Sequence, residues 1–216
     1  FSPLFMTTLD YSTETLDRIR KLERIRALGV NPFATKFDIT HPIGEILSKQ
    51  KAKIEEGERS PFRPIEEIIP SPMSDVAIAG RVMLHRSFGK ICFATISDGT
   101  GKIQILFSRE NCQVNVNGET KTELVPVILS ETKDPGTRET LDSSEAQNDG
   151  KIETVSAYKF AEKLIDLGDF IGVRGELFYT HKGELTLFVR EFTFLTKAIR
   201  PLPEKWHGIE DDDERY

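Results

Sequence analysis

Phe93, Gln104, Arg86 and Glu184 are the side chains whose types and spacing make a chemically useful set. A phenyl ring stacks on a flat π-face, an amide or carboxylate hydrogen-bonds a polar edge, and a guanidinium holds an anion. Phe93 and Gln104 lie on either side of the tight turn Asp98-Gly99-Thr100-Gly101. Counting back from that turn brings them within about two residues of facing each other, so they can share one face. Arg86 ends the preceding strand, beside His85, and Glu184 opens the last one. A strand phenylalanine is ordinarily core and a lone glutamine is ordinarily solvated, so residue type alone leaves both readings open. Arg18, Lys21 and Arg24 recur three apart on a helix. They form either a solvated face or a ridge that contacts phosphates.

Other chemistries lack their parts. His41, His85, His181 and His207 show no metal-ligand spacing, and neither Cys92 nor Cys112 has a CxxC partner. Two cysteines are too few for a disulfide scaffold. No phosphate-binding glycine loop of the GxxxxGK[ST] type occurs, and no nucleophile sits beside a general base. No apolar run approaches the roughly 18–20 residues of a membrane span. No signal peptide is visible, because charge is dense from Arg18 onward. The residues by themselves describe a binding module.

The elements that must position these groups follow from periodicity. Residues 12–29 are expected to be helical. Ser12 or Thr13 caps the start, Leu16, Ile19, Leu22, Ile25 and Leu28 make an apolar stripe, and Gly29 and Pro32 mark the stop. A second helix is expected around Ile43–Glu56. Pro61, Pro64, Pro70 and Pro72 then read as an extended linker. From Val76 the period becomes two, giving strands from Val76, over Lys90–Ser97 and over Lys102–Ser108. Residues 130–150 are polar and turn-rich, which reads as a disordered insertion. A helix near Ser156–Ile165 and strands over Phe170–Tyr179 and Glu184–Leu195 complete the set, the last two joined by a turn at His181-Lys182-Gly183. This mainly β order, with flanking helices and one helix between strands three and four, is that of a five-stranded Greek-key OB barrel behind an N-terminal helical extension. The expected domains are a helical extension and Pro-rich linker (1–75), the barrel (76–196, with a polar insertion at about 111–150), and a further linker (197–216).

Four stretches in this order resemble one family. They are RIRKLERIRALGVNPF (18–33), AGRVMLHRSFGKICFATISDGTGKIQ (79–104), LGDFIGVRGELFYTHKGELTLFV (167–189) and LTKAIRPLPEKWHGIEDDDERY (195–216). Together they resemble the anticodon-binding half of bacterial-type class II lysyl-tRNA synthetases and its linker to the catalytic domain. The resemblance implies that Phe93 stacks on the central anticodon uridine and Gln104 hydrogen-bonds it. It implies that Arg86 helps hold that base and that Glu184 faces a neighbouring one. It also implies a cytoplasmic parent enzyme that attaches lysine to tRNA(Lys) using ATP and Mg2+, with a homodimer formed through the catalytic domain. The catalytic motifs lie beyond Tyr216, so no catalytic or metal-binding residue and no bound cofactor is expected within this chain. Met6 reads either as the true start or as an ordinary internal methionine. The competing readings are a stand-alone OB module for single-stranded nucleic acid and the anticodon domain of an aspartyl- or asparaginyl-tRNA synthetase.

A formal net charge of −6 argues against an RNA partner, but its distribution removes the objection. Residues 108–160 carry six basic and ten acidic side chains, and residues 204–216 carry two and six. The remainder, which holds the proposed reading face, is mildly basic.

Overall fold

The computed structural model describes residues 12–34, 36–55, 75–126, 154–180 and 183–201. In chain order the elements are α1 (Thr13–Ala27), α2 (Ile43–Glu55), β1 (Val76–Phe88), β2 (Ile91–Ser97), β3 (Lys102–Ser108), β4 (Gln113–Val116), β5 (Glu119–Lys121), β6 (Glu123–Leu124), β7 (Val155–Ser156), α3 (Ala157–Lys163), β8 (Phe170–Tyr179) and β9 (Leu185–Thr196). The Pro-rich linker, the insertion 130–150, His181 and Lys182, and the linker beyond Pro201 fall outside the described residues.

Five strands close a ring. β1 pairs antiparallel with β2 and β8, β2 with β3, and β8 with β9. β3 then pairs parallel with β9, from Gln104↔Thr186 to Phe107↔Val189, and shuts the barrel. Alternation drives this closure. On β2, Cys92, Ala94 and Ile96 are buried while Ile91, Phe93, Thr95 and Ser97 are partly exposed. The inward set joins Ile103, Ile105, Phe107, Val173, Leu187 and Phe192 in one core. Gly175 sits on β8 at a register shift against β9. A Cβ there would collide with the carbonyl oxygen of Phe188, so only glycine fits.

The helices close the barrel ends. Asp98 accepts hydrogen bonds from the amides of Thr100 and Gly101 in its own turn and from Ile43 at the start of α2. It therefore couples the β2–β3 turn to a helix more than fifty residues upstream. Burial opposes ionisation of Asp98, but these hydrogen bonds outweigh it and its pKa is lowered. Helix α1 is capped by Ser12, whose hydroxyl accepts from the Thr15 amide.

The face that α1 buries differs from the expected stripe. Thr15, Arg18, Leu22 and Ile25 are buried, whereas Leu16 is 42% exposed. Steps of three and four track the 3.6-residue turn, while a strict three-residue repeat drifts off the contact face. This corrects the expected phosphate ridge. The Arg18 guanidinium is buried and donates to the carbonyls of Leu167 (2.8 Å) and Ala198 (3.0 Å) and to Glu14 (2.9 Å). Lys21 is held by Asp17 (3.0 Å) and Asp166 (2.7 Å). Neither side chain is presented to a phosphate, because unpaired carbonyls at the α3–β8 turn and beyond β9 need donors. Arg24 alone of the three lies on the exposed side of the helix. At the centre of this joint, Lys197 is buried between Asp169 (2.8 Å) and Asp166 (2.6 Å) and also donates to the Leu164 carbonyl (3.1 Å).

Strands also form within the range expected for the insertion. Residues 113–121 form a hairpin, with Asn117 and Gly118 at φ 54° and 89°, the left-handed pair of a two-residue β turn. Its first strand extends the sheet beside β9, where Glu191 accepts from Asn115 (3.0 Å) and Thr120 (2.7 Å). β6 and β7 then pair, so the chain at Leu124 and at Val155 lies side by side. Residues between them add length at a point where the two ends already meet, which costs little closure entropy.

Candidate nucleic-acid interface

The outward residues of β1, β2, β3 and β9 form two cross-strand rows. One runs Arg86, Phe93, Leu106 and Phe188, each paired with the next. The other runs Leu84, Thr95, Gln104 and Thr186. Arg86 therefore stands directly opposite Phe93, and Gln104 lies one diagonal step away, the offset that the turn count gave. Phe93 rests on a small outer cluster of Leu106, Phe178 and Phe188 and remains partly exposed. The ring is thus packed against apolar neighbours without being fully buried. Phe88, 61% exposed at the tip of the β1–β2 hairpin, stands edge-on to it with centroids 6.2 Å apart.

Glu184, just before β9, completes the group. The Gln104 Nε2 donates to Glu184 Oε2 at 2.9 Å, and the Gln104 Oε1 accepts from the Thr186 hydroxyl at 2.9 Å. Thr186 is fully buried. The amide of Gln104 is thus held from both sides, with one N–H and one oxygen lone pair left over. The chain reverses before Glu184 through hydrogen bonds from the Gly183 amide to the Thr180 carbonyl and from the Thr180 amide to the Glu184 carbonyl.

Charge on this side is positive at the rim. Arg86, Lys90 and Arg109 are exposed at the turn end of the β1–β2 hairpin, where the Arg109 amide donates to the Lys90 carbonyl. Arg190 pairs with Glu176 across β8 and β9. A groove of about 460 Å³ continues the face past Phe188, lined by Asn111, Gln113, Thr122 and Arg190 among others.

The inward side offers no reactive group. His85 turns away from Arg86 toward α3, where its Nε2 lies 3.0 Å from the Ala161 carbonyl. Burial lowers its pKa, so it stays neutral and donates there. Burial likewise pushes the thiols of Cys92 and Cys112 up to about 12, far from the thiolate form. Among the described residues, no group of three or more His, Cys, Asp or Glu side chains is placed to hold a metal ion. None of their helices is long and apolar enough to cross a membrane.

Sequence reasoning missed Thr186, Phe88 and the β4–β5 hairpin. Asn117-Gly118 after the alternating Val114 and Val116 was a readable hairpin signal. Nothing local marks Thr186, whose partner lies 82 residues away.

Residues 76–125 match the tRNA anti-codon family, described as an OB-fold nucleic acid binding domain. The barrel is an OB fold. Similar proteins carry the name lysine–tRNA ligase. The one from Trichormus variabilis is 32% identical over 199 residues, 92% of this chain and 27% of its own length. That from Carboxydothermus hydrogenoformans is 35% identical over 92% of this chain and 28% of its own length. That from Chlamydia caviae is 34% identical over 98% of this chain and 33% of its own. The chain therefore spans about a quarter to a third of the relatives it matches, and the match takes in the helical extension as well as the OB domain.

Proposed function

We propose that this OB domain binds the anticodon loop of a lysine tRNA and belongs to a protein that acts as a lysine–tRNA ligase. The observation that carries the reading is the outer face itself. A partly exposed phenyl ring has a guanidinium beside it and an oriented amide one diagonal away. Stacking supplies roughly 1–3 kcal/mol per base, and the rim cations attract the backbone. Single-stranded loops are the RNA form whose base edges are open to such contacts. In this reading Phe93 stacks on the central anticodon base, Gln104 hydrogen-bonds its edge, Arg86 steadies it, and Arg24, on the exposed side of α1, contacts tRNA backbone.

The finer features of the parent enzyme belong to the same proposal. It is a cytoplasmic class II enzyme that attaches lysine to tRNA(Lys) with ATP and Mg2+ and dimerises through a catalytic domain. The described residues provide no cluster suited to Mg2+, so no step of activation or transfer is assigned to them. Titration of the chain with anticodon stem-loops tests the proposal. A loop carrying the lysine anticodon should bind more tightly than one with a changed central base, and the difference should persist as salt is raised. Equal affinities that vanish together with salt would reduce the domain to a phosphate binder.

A further inference from the structure

We propose that α3 is a brace for the β1–β2 hairpin, with Tyr158 and Glu162 as positioning residues that hold Arg86, Phe88 and Phe93 in the arrangement a stacked base needs. The proposal rests on the anticodon reading and adds what keeps that face in shape before RNA arrives.

A bulge decides which way the hairpin faces. On the first part of β1, Val76, Ile78 and Val82 are buried in the barrel. The register against β2 then shifts between Val82 and Leu84. The extra residue reverses the parity of the strand. Leu84, Arg86 and Phe88 turn outward, while His85 and Ser87 turn toward α3. Pairing of β1 with β8 ends at Arg81↔Phe170. Past that point β2 is, among the described residues, the only strand that pairs with β1. The tip that carries the outward side chains therefore lacks a strand neighbour on one side.

Helix α3 supplies the missing support through alternate residues of the tip. The His85 Nε2 donates to the Ala161 carbonyl at 3.0 Å, and the Ser87 hydroxyl donates to Glu162 Oε1 at 2.5 Å. The Tyr158 hydroxyl donates to the Gly89 carbonyl at 2.8 Å. His85 Nε2 also lies 3.2 Å from Cys92 Sγ, which in turn reaches the Phe93 carbonyl at 3.8 Å. Side chains alternate along a strand, so gripping 85, 87 and 89 sets the direction of 86 and 88.

The helix can serve as a brace because it is fixed elsewhere. Phe160 packs on Phe192 and Phe194 of β9, with ring centroids 5.7 Å apart in each pair. The Ala157 amide donates to the Thr122 carbonyl, and the Leu164 carbonyl accepts from Lys197. None of these partners belongs to the hairpin. Tyr158 is itself buried, so its hydroxyl is offered from a fixed ring. A face held in place binds without first having to be ordered, and each bond that holds it raises the population of the competent arrangement.

The test compares the full chain with its double variant Tyr158→Phe/Glu162→Ala, which loses the Gly89 and Ser87 contacts and no backbone group. Amide hydrogen exchange followed by mass spectrometry reads the hairpin without RNA. Exchange over residues 84–91 should quicken about tenfold or more, while β8 and β9 keep their protection. Affinity for a lysine-anticodon stem-loop, read by fluorescence anisotropy, should fall about three- to tenfold. Glu162→Gln alone keeps an oxygen for the Ser87 hydroxyl and should stay within about twofold of the unaltered chain. In a Phe93→Ala background most of the loss should vanish, because the ring that the brace positions is gone. Faster exchange spread over the whole chain would make α3 a stabilising helix and nothing more. Unchanged exchange at the tip, unchanged affinity, or the same loss in the Phe93→Ala background overturns the brace. The anticodon reading fails by a different result, an unaltered chain that binds a scrambled loop as tightly as the lysine one. The exchange measurement contains no RNA and still decides whether α3 holds the hairpin.

Discussion

Replacing Lys197 with methionine tests how the helical extension is fastened to the barrel. Methionine keeps the length and flexibility of the stem and removes the ammonium. Three hydrogen bonds go with it, to Leu164 O, Asp166 Oδ2 and Asp169 Oδ2. Asp166 retains Lys21 at 2.7 Å. Asp169, fully buried, retains only the amides of Asp166 and Ala198, each at 2.8 Å. Breaking a buried pair from one side costs about 3–5 kcal/mol, and the two surviving N–H donors place this case near the lower end.

The loss should depend on pH in a stated direction. Burial already raises the Asp169 pKa, although Lys197 and the two amides pull it down. Without the ammonium it rises further. A carboxyl whose folded pKa exceeds its unfolded value is held protonated by the fold, so it stabilises the folded state below that value and costs stability above it. The deficit of the variant should therefore be largest at neutral pH and shrink as pH falls toward the raised pKa. Urea unfolding followed by circular dichroism at pH 7 and at about pH 5 measures both quantities. A deficit under about 1 kcal/mol at pH 7, or one that does not change with pH, would refute the buried-charge account.

Two further substitutions probe the scaffold. Gly175→Ala forces a methyl against the Phe188 carbonyl. It should cost about 3 kcal/mol, a fall in Tm of roughly 6–12 °C, whereas an unchanged Tm would mean that the β8–β9 approach can relax. Asp98→Ala removes the acceptor shared by the β2–β3 turn and α2 and should cost about 1 kcal/mol. Because its folded pKa is lowered, the Asp98 contribution is present above the ordinary carboxylate value and lost as pH falls through the folded one. The alanine variant should thus approach the wild type only in acid, which paired melts at neutral and acidic pH will show.

The sequence made the barrel legible because alternation is a local signal. Phe93 and Gln104 could be set on one face from a turn count alone. Helix α1 was legible as a helix but not in its contacts. Arg18 reads as a surface cation until two carbonyls, 149 and 180 residues away, are seen to take its guanidinium. Thr186 was silent for the same reason, since a threonine on a strand declares nothing until closure of the barrel sets it against Gln104. The hairpin 113–121 was hidden differently. Its polar composition resembled that of the residues after it, and composition outweighed the Asn117-Gly118 signal. What stayed hidden was therefore long-range pairing of polar groups, which has no period.

The central claim is that Phe93 is a stacking platform for one base. Binding of the lysine anticodon stem-loop to Phe93→Ala, in a variant whose circular dichroism matches the wild type, measures it most directly. The ring is packed against apolar neighbours without being fully buried, so its loss should weaken binding by roughly 1–3 kcal/mol, about five- to more than a hundredfold. The effect should disappear when the central nucleotide of the loop is abasic. Unchanged affinity in the folded variant, or an equal loss with the abasic loop, would make Phe93 part of the packing alone.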